Sequence, residues 1–144
     1  EGVGTNIDTT LSSEIDFGSK VSNSFFKKHL RKSKFYLEYG AGSSTLLADK
    51  LKKKFISIEP DKSFFNYLKF KKKLHNLIYI DLGPTKYYSH PIMPYFLIGE
   101  KIKFYCNHIN SLFLSTKIIP DLILIDGRFR ANTCLYILNF LSEK

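Results

Sequence analysis

The sequence predicts an α/β domain built on a parallel sheet, and three observations carry that prediction. Short apolar, β-branched runs alternate with amphipathic helical stretches along the chain. The last such run, Asp121-Leu-Ile-Leu-Ile-Asp126, is nearly continuous in apolar residues, as strands covered on both faces are. The first run leads straight into a glycine-rich turn, Gly40-Ala-Gly-Ser-Ser-Thr45, and then into a helix. With 144 residues, 44% hydrophobic and 24% charged, the chain has the composition of a folded domain and the length of one core.

Each element follows in order. Residues 1–18 are polar, rich in Gly, Ser and Thr and without period, so they read as a loose N-terminal arm; residues 19–144 read as a single α/β domain. From Ser19 to Lys32 the pattern is helical, with Val21, Phe25, Phe26 and Leu30 on one broad apolar face. Phe35 to Tyr39 is a first strand. Leu46 to Lys53 is a helix with Ser43 or Ser44 as N-cap. Lys54 to Ile58 is a second strand, ended by Glu59-Pro60-Asp61, and Asp61 caps a helix from Lys62 to Leu74. Leu77 to Ile80 is a third strand. Residues 84–103 carry three of the five prolines and read as a long loop, with a short strand at Lys101 to Tyr105 and a helix from Asn107 to Ser115. Asp121 to Asp126 is the fourth strand, and Arg130 to Ser142 closes the chain as a helix. Right-handed crossovers then give the order 3-2-1-4.

Composition excludes some functions. The longest strictly apolar runs are about four residues, whereas a membrane span needs roughly 20. The chain starts at Glu1 rather than Met, so an upstream segment is expected to have been removed or left out. Cys106 and Cys134 form neither a CxxC nor a zinc spacing; two reduced thiols fit a reducing, cytoplasmic setting. No metal constellation appears, and Asp81 and Asp126, on separate strands, do not make one. The net charge of +9 is concentrated in Lys50–Lys54 and Lys69–Lys73, which read either as a solvated face or as a polyanion site.

The glycine-rich turn carries the chemistry. Glycines 40 and 42 let the backbone turn sharply off a strand and let a ligand approach a helix N-terminus. A nicotinamide fingerprint would place a third glycine where Thr45 stands. Glu38, two residues before Gly40, would repel a pyrophosphate and attract the ammonium and sulfonium of S-adenosylmethionine. Glu59 lies 19 residues after Gly40, at a strand end, where a carboxylate accepts from ribose hydroxyls. Asp81 ends the third strand on the same sheet edge.

Leu37 to Ala48, Ile58 to Asp61 and Ile125 to Gly127 resemble the motifs of class I S-adenosylmethionine-dependent methyltransferases. Asp81-Leu-Gly-Pro-Thr85 and Asp126-Gly-Arg-Phe-Arg130 further resemble a poorly characterised bacterial group with that fold. The resemblance covers residues 20–142 and implies a three-layer Rossmann-like sheet that stops after its fourth strand, where such enzymes usually add three more. It implies that Glu38, Gly40 and Gly42 border the methionine part of the cofactor, that Glu59 holds the ribose, that Asp81 sits near the adenine and that Asp126 faces the reacting centre; Ala41, Ser43, Ser44, Pro60 and Leu82 complete the expected cofactor-binding set.

The resulting expectation is methyl transfer to an acceptor, small or macromolecular, that the sequence does not name. Asp126 is the first candidate base and His90 the second. Tyr87, Tyr88 and Tyr95 are candidates for an aromatic wall near the substrate, and Arg128 and Arg130 for contacts to an anionic substrate group. His29, His75 and His108 read as surface or capping residues. A competing reading is a non-catalytic nucleoside-binding module that meets nucleic acid through its lysines. A nicotinamide-dependent oxidoreductase is disfavoured by Glu38 and Thr45.

Overall fold

The structure, a computed structural model, describes residues 11–86 and 89–144. Its strands are β1 (Tyr36–Tyr39), β2 (Phe55–Glu59), β3 (Leu77–Tyr79), β4 (Thr85–Lys86), β5 (His90–Pro91) and β6 (Leu122–Ile125). Its α-helices are α1 (Lys20–Lys32), α2 (Ser43–Lys50), α3 (Lys62–Asn66), α4 (Gly99–Cys106), α5 (His108–Thr116) and α6 (Arg130–Ser142). Four strands form a parallel sheet in the order β3-β2-β1-β6, and β4 and β5 pair antiparallel in a separate hairpin. The expected order 3-2-1-4 is therefore observed, its fourth strand being β6.

Side chains alternate across β1. Tyr36 joins Ile15, Phe26, Leu30, Leu47 and Phe55 in a core under α1 and α2. Leu37 and Tyr39 join Ile58, Tyr105, Ile109 and Phe140 in a second core under α4, α5 and α6. With both faces covered, all four residues of β1 are buried. The start of β6 is fixed to the start of β1 by Asp121, whose carboxylate accepts from the amides of Lys34 at 2.7 Å and Phe35 at 3.0 Å.

Several helix boundaries follow side-chain capping. Ser19 accepts from the Ser22 amide before α1, and basic residues fill the last turn, where the helix dipole is negative. Asp61 accepts from the Phe64 amide at 2.9 Å, as expected of the cap of α3.

Other expectations are corrected. The strand expected at Lys101 to Tyr105 is the body of α4; Ile102, Tyr105 and Ile109 recur at helical spacing and face the second core. The helix expected from Lys62 to Leu74 is α-helical only to Asn66 and widens into a π-helical turn at Tyr67–Lys71. Leu68 and Leu74 lie six apart, which a regular helix would put on different faces. The wider turn, followed by Lys73 at φ 58°, brings both into the interior. The long loop at 84–103 contains the β4–β5 hairpin and a short 3₁₀ turn at Tyr95–Leu97. On α1 only Phe26 and Leu30 are buried, while Val21 and Phe25 face solvent. Residues 1–10 of the expected arm lie outside the described residues. In its remainder, Ile15 is buried and Phe17 packs edge-on against Phe26 at 5.2 Å, so this part is docked rather than loose. No helix among the described residues is long and apolar enough to cross a membrane.

Candidate functional site

The C-terminal ends of β1, β2 and β6 meet around the glycine-rich turn. Gly40 sits at φ +92°, and a side chain there would come within 2.6 Å of the Gly127 backbone. The two loops thus cross backbone to backbone, which only glycine permits at this point. Gly42, in contrast, has open space where a side chain would stand, so the face of the turn at that residue is uncovered.

Gly42, not Ser43 or Ser44, is the N-cap of α2. The turn is stabilised from its far side: the Gly42 amide donates to Thr45 Oγ1 at 2.8 Å, and that hydroxyl donates to Glu38 Oε2 at 2.5 Å. Glu38 also accepts from Tyr36 at 2.9 Å, from Ser57 at 2.7 Å and from Ser44. Its carboxylate is fully buried between β1, β2 and α2. Glu38, expected to border the methionine part, is held here by side chains of the protein itself. Alternation along β1 aims it into the protein, and four hydroxyls engage both of its oxygens. Burial raises its pKa against those four donors. Ser44 and Thr45 are buried with it.

Glu59 stands differently. At the end of β2 its Oε2 accepts from the Ala41 amide at 3.1 Å, and its Oε1 accepts from the Asp61 amide at 2.7 Å and the Ser89 hydroxyl at 2.9 Å. Burial pushes its pKa up to about 7, only partly offset by these donors. Pro60 and Asp61 beside it are buried. Thr85 donates to Asp61 Oδ2 at 2.9 Å, so the hairpin rests on the β2 end through two hydroxyls, Thr85 and Ser89.

Asp81 is exposed just beyond β3. It accepts from the Gly83 amide at 2.8 Å and from Tyr79 at 3.2 Å, and it is ion-paired with Lys101, which holds its carboxyl below the usual range. The side chain of Leu82, expected in the cofactor-binding set, is wholly buried in the second core.

At the β6 end, Asp126 pairs with Arg130 at 2.7 Å. The Arg128 guanidinium meets His90 Nε2 at 2.6 Å. A guanidinium only donates, so Nε2 is the acceptor and its lone pair is taken; His90 is thereby unavailable as a base at this nitrogen. Both arginines expected to meet substrate are thus engaged within the protein. Tyr95 packs edge-on against Phe129 at 5.4 Å. Tyr87 and Tyr88 lie outside the described residues. His29 and His75 are exposed, whereas His108 is half-buried against Phe104. Cys106 is buried and Cys134 exposed.

Sequence reasoning missed Ser89, Ser57 and Tyr105. The first two reach their carboxylates only through strand pairing or a hairpin with no local signature. Tyr105 was read as strand; its helical spacing with Ile102 and Ile109 was the available signal.

No protein-family model and no curated protein matches the chain. Among solved structures, a methyltransferase-like protein from Silicibacter pomeroyi is similar, with 24% identity and a TM-score of 0.68, over 87% of this chain and 68% of the other. The chain therefore has a methyltransferase-like α/β fold built on a four-stranded parallel sheet.

Proposed function

We propose that the chain binds S-adenosylmethionine at the edge formed by β1 and β2 and serves methyl transfer. The observation that carries this reading is Glu59. A buried carboxylate at the end of the second strand, tied to the amide of the glycine-rich turn, already accepts one hydroxyl, from Ser89. A ribose diol offers the same chemistry twice. The methyltransferase-like fold supports this nucleoside over a nicotinamide dinucleotide. The argument from the charge of Glu38 no longer contributes, because that group faces the interior.

In this reading Glu59 holds the ribose, and the uncovered face at Gly42 admits the methionine part. The cofactor supplies an activated methyl group, and the protein's task is to orient it toward an acceptor and exclude water. Asp126 remains the candidate base: it is exposed at the same edge and anchored by Arg130. The acceptor is unassigned.

The nucleic-acid alternative draws less support. Lys53 donates to the Arg31 carbonyl and Lys72 to the Leu11 carbonyl, while Lys54 and Lys69 lie over aromatic rings. Much of the two lysine blocks is thus engaged in packing.

Calorimetric titration with S-adenosylmethionine, with NADH as control, tests the proposal. Saturable binding of the first alone is expected, with a loss of roughly tenfold or more in Glu59→Ala. Binding of NADH instead, or equal affinity in the variant, would overturn it.

A further inference from the structure

Tyr105 lies at the same edge on α4, wholly buried, and among the described residues its hydroxyl finds no acceptor for its proton. The hydroxyl fills the space left by Gly127: a side chain at that glycine would come within 2.3 Å of it. Gly127 in turn crosses Gly40, so the hydroxyl sits against the junction of the glycine-rich turn with the β6 end. The backbone amide of Arg128 faces the phenol oxygen; burial, and after it the charge of Glu59, push the pKa of the hydroxyl up. An amide donor leaves the phenol's own proton without an acceptor. A buried hydroxyl proton without an acceptor destabilises the fold, and a phenylalanine would fill the same space without that penalty.

We infer that the Tyr105 hydroxyl is a ligand contact, donating to an oxygen of the adenosyl amino acid whose ribose Glu59 holds. The inference rests on the nucleoside reading of Glu59 and adds a residue from the opposite layer of the fold. The glycine at 127 is then explained twice, by its crossing with Gly40 and by the room it leaves for this hydroxyl. The acceptor is a sugar oxygen or the carboxylate of the amino-acid part, two sources of one chemistry.

The test is Tyr105→Phe, read by two independent measurements. Thermal unfolding of the ligand-free variant is expected at an unchanged or higher temperature, since the substitution removes an unpartnered polar atom. Calorimetric affinity for S-adenosylhomocysteine is expected to fall about three- to tenfold. Adenosine, which lacks the carboxylate, separates the two acceptors: a matching loss places the acceptor on the sugar, and no loss places it on the carboxylate. A lowered unfolding temperature with unchanged affinity for both ligands would mean the hydroxyl serves the fold, and would overturn the inference. If the wild-type chain binds S-adenosylhomocysteine and Glu59→Ala weakens it while Tyr105→Phe does not, this inference alone falls. If the wild type binds neither ligand, the nucleoside reading falls and takes this inference with it.

Discussion

Glu38 and Glu59 are both buried carboxylates, on neighbouring strands and on either side of the same glycine-rich turn, yet they do opposite work. Glu38 accepts from four side-chain hydroxyls of β1, α2 and β2, and no backbone group of the turn touches it directly. Glu59 accepts from two backbone amides and one hydroxyl that arrives from a hairpin. The first arrangement is closed: every donor belongs to the sheet or the helix packed on it. The second is partly open, because the Ser89 hydroxyl is the one donor that a ligand hydroxyl can replace without disturbing the sheet. Burial by itself therefore does not separate a structural acid from the binding acid proposed at Glu59. What separates them is the origin of their donors.

Breaking the closed arrangement has the largest expected effect. Glu38→Ala leaves four hydroxyls without their acceptor in a region water does not reach, and releases Thr45 from the turn. A loss of roughly 3–5 kcal/mol in unfolding free energy is expected by chemical denaturation. A loss below about 1 kcal/mol would show that the hydroxyls re-pair and that Glu38 is not the clamp.

Glu59 sharpens the comparison through pH. Its folded pKa, about 7, lies above the ordinary glutamate value of 4.5, so the folded state holds the proton longer. Stability is then highest below pH 4.5 as far as this group is concerned, and falls as pH rises from 4.5 toward 7. Over that window the loss amounts to roughly 3 kcal/mol. Glu59→Gln should remove that slope. Ligand affinity runs the other way: a diol that donates needs the ionised acceptor, so affinity should rise roughly tenfold between pH 6 and pH 8 in the wild type and stay flat in Glu59→Gln. Parallel pH profiles for the two proteins would remove Glu59 from both roles.

The smallest effect concerns the replaceable donor. Ser89→Ala deletes a hydroxyl that competes for Glu59 Oε1, and about threefold tighter nucleoside binding is expected in the same titration, the scale of one modest hydrogen bond. Weaker binding would mean that Ser89 assists the ligand rather than standing in its place.

Much of this was legible before any coordinates. The strand ends at Tyr39, Glu59 and Ile125, the sheet order and the cap at Asp61 follow from local patterns and handedness. The direction of Glu38 was not legible, because a four-residue strand with both faces covered has no polar alternation to reveal which way a side chain points. Thr45 and Glu38 each looked like a separate departure from a dinucleotide fingerprint; together they form one hydrogen-bonded unit that replaces the third glycine. His90 and Arg128 are 38 residues apart, and nothing in either segment announces their pairing. The π-helical turn escaped for a similar reason, since six-residue spacing of Leu68 and Leu74 belongs to no regular period.

The register of β1 also fixes an order of assembly. Tyr36 pairs with Phe55 on one side and with Leu122 on the other, partners 19 and 86 residues away. Closing the longer loop costs about 1 kcal/mol more in chain entropy, and during synthesis its far end does not yet exist when the nearer partner is ready. The β1–β2–β3 unit, which already contains the glycine-rich turn and Glu59, is expected to form first. The seam with β6 follows, sealed at its beginning by Asp121 on the Lys34 and Phe35 amides and at its end by Gly127 against Gly40. Until that seam closes, the growing chain carries one exposed edge on its central strand, which makes the last third of the sequence the guardian of the first.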